Sequence, residues 1–305
     1  MKQAVHALTY PVGIIGVGNM GGAMAANLLA QGWPVHVCDI DAAKTQLLAQ
    51  LGAVVHANPA EIASKVSLLI ICVVDGAQTQ DVLFGKHGAA QHMKSGQVVM
   101  LCPTISPEEV EVCAHKLAAL GIQTIDAPMS GGPARARDGS MSLMLACADA
   151  VFEQHQTLLA ILSNQVFRIS QQPGDGARTK LVNNLLAGIN LAGAAEVMAL
   201  SERMGLNLTT TLNVIEHSSG QSWIGNDRMR RAVADDFEPR AHTTLLAKDT
   251  KLAVAAAQQL GFKTPLGQLT TETFARALAH GLAGEDDASL IKLMRHENAL
   301  CQLIT

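Results

Sequence analysis

The sequence predicts an α/β protein in two parts: a doubly wound, mostly parallel sheet, then an all-α domain joined to it by one long helix. Three observations carry this expectation. Over about the first 170 residues, short β-branched runs alternate with helical segments. Strand signals are absent after Gly176, and from 177 to about 204 only Gly188 and Gly193 interrupt a helical pattern. Strands separated by helices of this length imply right-handed crossovers and a parallel sheet. The expected domains are 1–173 and 174–305.

The elements follow in order. The apolar run 12–17 reads as a strand entering a glycine turn, and the Ala-, Met- and Leu-rich helix after it stops at Gly32. Residues 35–39 form the next strand, and Asp41 caps a helix that Gly52 ends. Asn58-Pro59-Ala60-Glu61 and Ser106-Pro107-Glu108-Glu109 each place a capping residue, Pro at N1 and Glu at N3. Between them, 68–74 and 98–102 are short apolar runs, the pattern of strands buried on both faces. Residues 122–127, 141–146 and 166–169 add further strands. The C-terminal part reads as helices over 209–217, 241–260, 266–280 and 288–303.

Composition bounds the function. The chain has 305 residues, 49% of them hydrophobic and 16% charged, enough for two cores and too few charges for a disordered chain. Net charge is −4 and no Lys/Arg block occurs, which argues against nucleic acid and acidic membranes as partners. The six cysteines form no CxxC pair, and Cys38, Cys72 and Cys102 sit in apolar runs, so reduced thiols are expected. The eleven histidines show neither HxxxH nor HExxH spacing, so no metal site is expected. The longest apolar run, 66–74, is too short to span a bilayer and no secretory leader is recognisable, so the expected location is the cytoplasm.

Gly16-Val17-Gly18-Asn19-Met20-Gly21 fits GxGxxG. Alone the pattern is weak, because glycine-rich turns are common. Here it follows a strand, opens a helix, and precedes a second strand ending in Asp39, 18 residues beyond Gly21. That is the Rossmann-type arrangement. Gly16 allows the turn, Gly18 the approach of a pyrophosphate, and Gly21 close helix–strand packing. The helix N-terminus supplies free N–H groups and positive potential. Asp39 can accept from both ribose hydroxyls and would repel a 2′-phosphate, and no Arg follows in Ile40-Asp41-Ala42-Ala43. NAD is therefore the expected cofactor; the plainer reading of Asp39 is a solvated loop acid.

Two further segments can carry chemistry. Asp126-Ala127-Pro128-Met129-Ser130-Gly131-Gly132 ends in a turn able to direct N–H groups and a hydroxyl at a carboxylate, although a Ser-Gly-Gly turn alone is most often an ordinary surface turn. Lys180 and Asn184 lie four residues apart on the long helix and share a face. Flanked by Leu181, Val182, Leu185 and Leu186, the lysine either snorkels to solvent or does chemistry.

With these residues in place the sequence resembles the β-hydroxyacid dehydrogenase family. Four segments carry the resemblance: GVGNMGGAMAANL from Gly16, DAPMSGG from Asp126, GDGARTKLVNNLL from Gly174 and KDTKLA from Lys248. It implies that Lys180 is the catalytic lysine, that Ser130, Gly131 and Gly132 bind the substrate carboxylate, and that Asn184 orients the substrate. It further implies that Thr104, Lys248, Asn19 and Met20 contact the cofactor. A small C3–C4 hydroxy acid would be the substrate, and the helical domain would form a dimer or larger homo-oligomer. Lys180 would take the hydroxyl proton as hydride leaves for NAD; desolvation lowers a lysine pKa, so oxidation should be favoured at alkaline pH.

Pro103 stands where the family often has Ser, and Arg135 and Arg137 follow the Ser-Gly-Gly turn where many members have small residues. Ser222-Trp223 with Asn226 and Arg228, and the segment 285–289, look most like the L-threonate dehydrogenase branch; 3-hydroxyisobutyrate and D-glycerate are the alternative substrates. The plainer reading of 222–228 is a connecting loop with a packed tryptophan. A non-catalytic cofactor-binding relative and an imine reductase are the readings from other classes, and the presence of Lys180 argues against both.

Overall fold

The computed structural model describes residues 9–300. Their contacts divide the chain into two compact units between Lys180 and Leu181.

The first unit alternates strand and helix as its sequence pattern requires. In chain order the elements are β1 (Val12–Ile15), α1 (Asn19–Ala30), β2 (Val35–Cys38), α2 (Ala42–Gln50), β3 (Val54–Val55), α3 (Pro59–Ala63), β4 (Leu68–Ile71) and α4 (Gly76–Phe84). They continue with β5 (Val98–Leu101), α5 (Pro107–Ala118), β6 (Gln123–Asp126), β7 (Met129–Ser130), α6 (Gly132–Asp138), β8 (Ser142–Ala146), α7 (Asp149–Leu162) and β9 (Gln165–Ser170). The sheet runs β3-β2-β1-β4-β5-β6-β8-β7, with β9 also on β8. Pairing is parallel from β3 to β6. It becomes antiparallel at β6–β8 and β7–β8, then parallel again at β8–β9.

The central strands are buried on both faces because their apolar residues are continuous, and period-two alternation sends them to two cores. Val12, Ile14, Leu68, Ile70, Val98 and Met100 pack with α1, α6 and α7. Ile15, Leu69, Ile71, Val99 and Leu101 pack with α3, α4 and α5. Each such side chain removed from water contributes about 1.5–3 kcal/mol.

Helix starts follow the capping signals. Asn58 Oδ1 accepts the Glu61 N–H at 3.1 Å, and Asp41 Oδ1 accepts the Ala43 N–H at 3.0 Å. Ser106 and Glu109 form a reciprocal capping box, bonded at 3.2 and 2.8 Å.

The long helix is α8 (Asp175–Arg203), 29 residues that begin in the first unit and continue into the second. It is long and apolar enough to cross a membrane by length and composition alone, and 39% of its most apolar stretch is buried inside the protein. This helix, rather than the run 66–74, is the segment of membrane-like hydropathy: Leu, Val, Ile, Met and Ala spread along it raise the mean without an unbroken apolar run. In the second unit α8 is followed by α9 (Leu208–Glu216), α10 (Trp223–Val233), α11 (Thr243–Gln259), α12 (Pro265–Ala279) and α13 (Leu290–Leu300). They enclose a core of Leu191, Met198, Met229, Phe274, Leu290 and Ile291.

Residues 223–228 are helix rather than loop. Ser222 Oγ accepts the Gly225 N–H at 3.1 Å and caps α10, and Trp223 is 51% exposed, with the Arg228 guanidinium carbon 6.0 Å from its ring centroid. Arg228 Nε lies 2.5 Å from Asp287 Oδ1, and Asp287 is 1% exposed. Asp286, fully buried, accepts N–H bonds from Arg240 and Ala241 at 2.8 and 3.1 Å. Residues that resemble the threonate branch are thus committed here to holding α10 against the segment before α13.

Cys38, Cys72, Cys102, Cys113 and Cys147 are free thiols, all buried but Cys72, which is partly so. Burial pushes Cys38 and Cys113 up to about 11 and Cys72 up to about 12. Cys301 lies outside the described residues.

Candidate active site

The glycine turn is built as its sequence requires. Gly16 has φ +86°, and a Cβ there would lie 2.5 Å from the Cys72 carbonyl oxygen. A Cβ on Gly21 would collide with the Gly16 carbonyl oxygen, so the close approach of α1 to β1 depends on both. Gly18 is different: a Cβ there would meet nothing within 4 Å. Gly18 is the N-cap of α1, with no side-chain cap and no acid in the first turn. The helix therefore offers backbone N–H groups and positive potential beside open space, which fits a pyrophosphate.

Asp39 follows β2. Its Oδ2 accepts the Val17 N–H at 2.6 Å and its Oδ1 accepts the Asp41 N–H at 2.8 Å. The carboxylate is thus fixed to the glycine turn, each oxygen keeping lone pairs for a diol. The nearest Lys or Arg in sequence, Lys44, pairs with Asp41 at 3.3 Å. Ile40 is fully exposed next to Asp39. Asn19 and Met20 occupy the first turn of α1, and Thr104 follows β5 after the buried Pro103.

Ser130 ends the short strand β7, opposite Ser142. Gly131 and Gly132, at φ +123° and +76°, carry the chain into α6. The segment read as a turn is therefore a strand-to-helix junction. Arg135 folds back over it: its Cδ would be 2.8 Å from a Cβ on Gly131.

Asp126 ends β6 and is 1% exposed. Its Oδ2 accepts N–H bonds from Gly174 at 2.8 Å and Ala177 at 3.1 Å, the first turn of α8. Burial pushes this carboxyl up to about 6, although the N–H donors pull the other way. Lys180 lies one turn beyond Ala177 and is 7% exposed. The first unit therefore holds Gly16, Gly18, Asn19, Met20, Gly21, Asp39, Thr104, Ser130, Gly131, Gly132 and Lys180.

The second unit holds Asn184 and Lys248. They meet at a residue that sequence reasoning passed over, Asp249. Asn184 Nδ2 donates to Asp249 Oδ2 at 2.6 Å. Lys248 Nζ lies 2.9 Å from Asp249 Oδ1, a charge contact without hydrogen-bond alignment. Asn184 Oδ1 accepts from Asn183 Nδ2 at 3.0 Å, so the amide is held at both ends. The signal was present: Leu246, Asp249, Thr250, Ala253 and Val254 make one buried stripe of α11, and an acid on such a stripe must be partnered. No group of three or more His, Cys, Asp or Glu able to hold a metal occurs among the described residues.

A mostly parallel sheet with an open glycine turn and a carboxylate fixed to it from the end of the second strand, followed by a helical part entered by a lysine-bearing helix, defines a dinucleotide-dependent oxidoreductase. Residues 11–170 match the family model described as the NAD binding domain of 6-phosphogluconate dehydrogenase. Residues 174–294 match that of the NAD-binding domain of NADP-dependent 3-hydroxyisobutyrate dehydrogenase. The chain belongs to the β-hydroxyacid dehydrogenase family.

An L-threonate dehydrogenase of Cupriavidus necator is 36% identical over 282 residues, 92% of this chain and 95% of that one. The mitochondrial 3-hydroxyisobutyrate dehydrogenase of Homo sapiens is 30% identical over 294 residues, 94% and 87% of the two chains. Among solved structures, a 3-hydroxyisobutyrate dehydrogenase from Salmonella typhimurium superposes with TM-score 0.88 at 36% identity, covering 93% of this chain and 99% of that one.

Proposed function

We propose that the chain oxidises a four-carbon polyhydroxy acid, L-threonate, with NAD as hydride acceptor and Lys180 as proton acceptor. The observation that carries this reading is the pairing, within one unit, of the open glycine turn and its Asp39 carboxylate with a lysine that folding buries to 7% exposure. The likeness to L-threonate dehydrogenases supports the choice of acid.

The residues divide the work. Residues 1–173 bind the nucleotide, and 174–305 contribute substrate contacts and the oligomer interface. Gly16, Gly18 and Gly21 admit the pyrophosphate, Asp39 holds the ribose diol, and Asn19, Met20, Thr104 and Lys248 flank the cofactor. Ser130 Oγ and the N–H groups of Gly131 and Gly132 anchor the substrate carboxylate. Asn184, oriented by Asp249, holds a substrate oxygen. Lys180 Nζ accepts the hydroxyl proton and returns it in the reverse reaction. Bound nicotinamide supplies the hydride-accepting carbon.

Exposed Val182, Leu186, Val197, Leu200 and Met204 along α8 support a homo-oligomer formed through the helical part. The free thiols support a cytoplasmic location.

The test is a panel of L-threonate, D-glycerate and 3-hydroxyisobutyrate with NAD, followed by NADH formation. The reading expects the highest kcat/KM for L-threonate. A preference for 3-hydroxyisobutyrate or D-glycerate overturns the substrate, and no turnover of any acid overturns the reaction.

A further inference from the structure

The first turn of α8 finds its cap 48 residues back in sequence. Gly174 and Ala177 stand at the N-cap and N3 positions, whose N–H groups have no partner within a helix. Both donate to the one carboxylate oxygen, Asp126 Oδ2. The seat is tight: a Cβ on Gly176 would lie 2.7 Å from the Met144 carbonyl oxygen and 2.9 Å from the Asp126 carboxyl carbon. The first turn of the helix therefore rests directly on the end of β6 and the middle of β8.

Asp126 joins two stretches of chain that matter, one by the backbone and one by hydrogen bonds. Four residues after it comes Ser130, the start of the proposed carboxylate anchor, and three residues after its partner Ala177 comes Lys180. We propose that Asp126 is a positioning residue for proton transfer, clamping the first turn of the lysine-bearing helix to the strand that leads into the Ser130-Gly131-Gly132 junction. The inference rests on the reading of Lys180 and Ser130 given above.

The clamp acts through charge as well as shape. A carboxylate bonds N–H groups about twice as strongly as a neutral acceptor, and it sits at the positive end of a helix. A neutral amide would accept the same two bonds with less grip. The ionised form is nevertheless poised to lose its charge, because burial pushes the carboxyl up to about 6. The titratable groups facing it are Asp175 on α8 and the thiols Cys102 and Cys147 after β5 and β8. Asp175 raises it further, and burial raises both thiols, so they stay neutral in this range. Acidification through about pH 6 therefore weakens the clamp. A displacement of about 1 Å at a reacting group can cost about 100-fold in rate.

The test is kcat for the acid of the panel that turns over, from about pH 5 to pH 9, in wild type, Asp126→Asn, Asp126→Ala and Lys180→Ala, with NADH affinity and melting temperature measured on each. A single lysine base gives a slope of one in log kcat against pH; loss of the clamp adds a second proton below about pH 6. The expected results are a wild-type line that steepens above a slope of one around about pH 6, by no more than the roughly tenfold difference between charged and neutral clamp, and an Asp126→Asn line that keeps a slope of one. Asp126→Asn should also lower kcat about 10-fold near neutrality, and Asp126→Ala about 100-fold, with NADH affinity held within about threefold.

A wild-type line of slope one down to about pH 5 overturns the inference whether or not the variants fold. So does an Asp126→Asn enzyme with wild-type kcat and an unchanged acid limb. A Lys180→Ala enzyme with wild-type turnover overturns the underlying reading instead, and is distinguishable because it is a separate variant whose kcat is read independently of those at Asp126.

Discussion

Replacing Asp39 with Ser tests the cofactor assignment most directly, and its size follows from the geometry. The carboxylate is held by the Val17 and Asp41 N–H groups at 2.6 and 2.8 Å, so it cannot swing away from an incoming ribose. Loss of a charged acceptor to the diol costs about 1.5–3 kcal/mol, which is about 10- to 150-fold in NADH affinity. A 2′-phosphate would stand beside the same carboxylate. Two unit charges at about 4 Å and an effective dielectric of about 20 repel by about 4 kcal/mol, nearly three orders of magnitude in Kd. Relief of that repulsion and loss of the diol bonds act in opposite directions on the two cofactors. The NADH-to-NADPH affinity ratio should therefore fall by about 10³ or more in Asp39→Ser, and by less at high salt. Fluorescence titration of NADH and NADPH measures both constants without any substrate. A wild-type chain that binds NADPH as tightly as NADH would refute the reasoning, as would a ratio that Asp39→Ser leaves unchanged.

Other expectations follow from single contacts. Lys180→Ala should lower kcat by about 10²–10⁴ while NADH affinity survives, measured by steady-state kinetics and titration. Asp249→Ala leaves the buried Asn184 amide without its acceptor and should cost about 1–3 kcal/mol in urea unfolding, together with a raised KM for the hydroxy acid. His155, 1% exposed and bonded to the Tyr10 hydroxyl, is lowered to about 4 by burial. The folded chain thus holds it neutral while the unfolded chain protonates it, so its stabilisation is complete above about pH 6.5 and declines as pH falls towards 4. His155→Gln should remove that decline, visible as a smaller loss of unfolding free energy between about pH 7 and pH 5, by about 2 kcal/mol. The Asp126 and Asp287 carboxyls, both raised to about 6, act oppositely and favour the folded state as pH falls, which is why the comparison must be made between variants.

What could be read from the sequence was whatever is settled within a few residues. Asn58, Ser106 and Asp41 cap helices because their donors lie two or three positions on, and Gly16 and Gly21 mark a turn whose demands are local. The continuous apolar runs 68–71 and 98–101 announced strands covered on both sides. Val54–Val55 escaped notice because two exposed residues show no period, and β7 because Met129 and Ser130 find their partner beyond α6. The cap that Ser222 supplies to α10 shows in neither sequence reading of 222–228, since the arginines of α10 have an uninformative charge pattern until their acids at 286 and 287 are placed. At the candidate site, the spacing of the glycine motif singled out Asp39, and the family resemblance singled out Lys180 and Ser130. Asp126 and Asp249 were invisible as supports because their partners lie 48 to 65 positions away, a separation that only the folded chain closes.

The sheltered thiols have a practical consequence. A thiol with a pKa of about 11 is a thiolate in only about one molecule in ten thousand at neutral pH, and maleimides and iodoacetamides react with the thiolate. In a Cys301→Ser background, a cysteine engineered onto the surface would outcompete the native ones for a fluorophore or spin label. Distance measurements between such labels, one on each side of Lys180, would report on how the two parts of the chain respond when a dinucleotide binds.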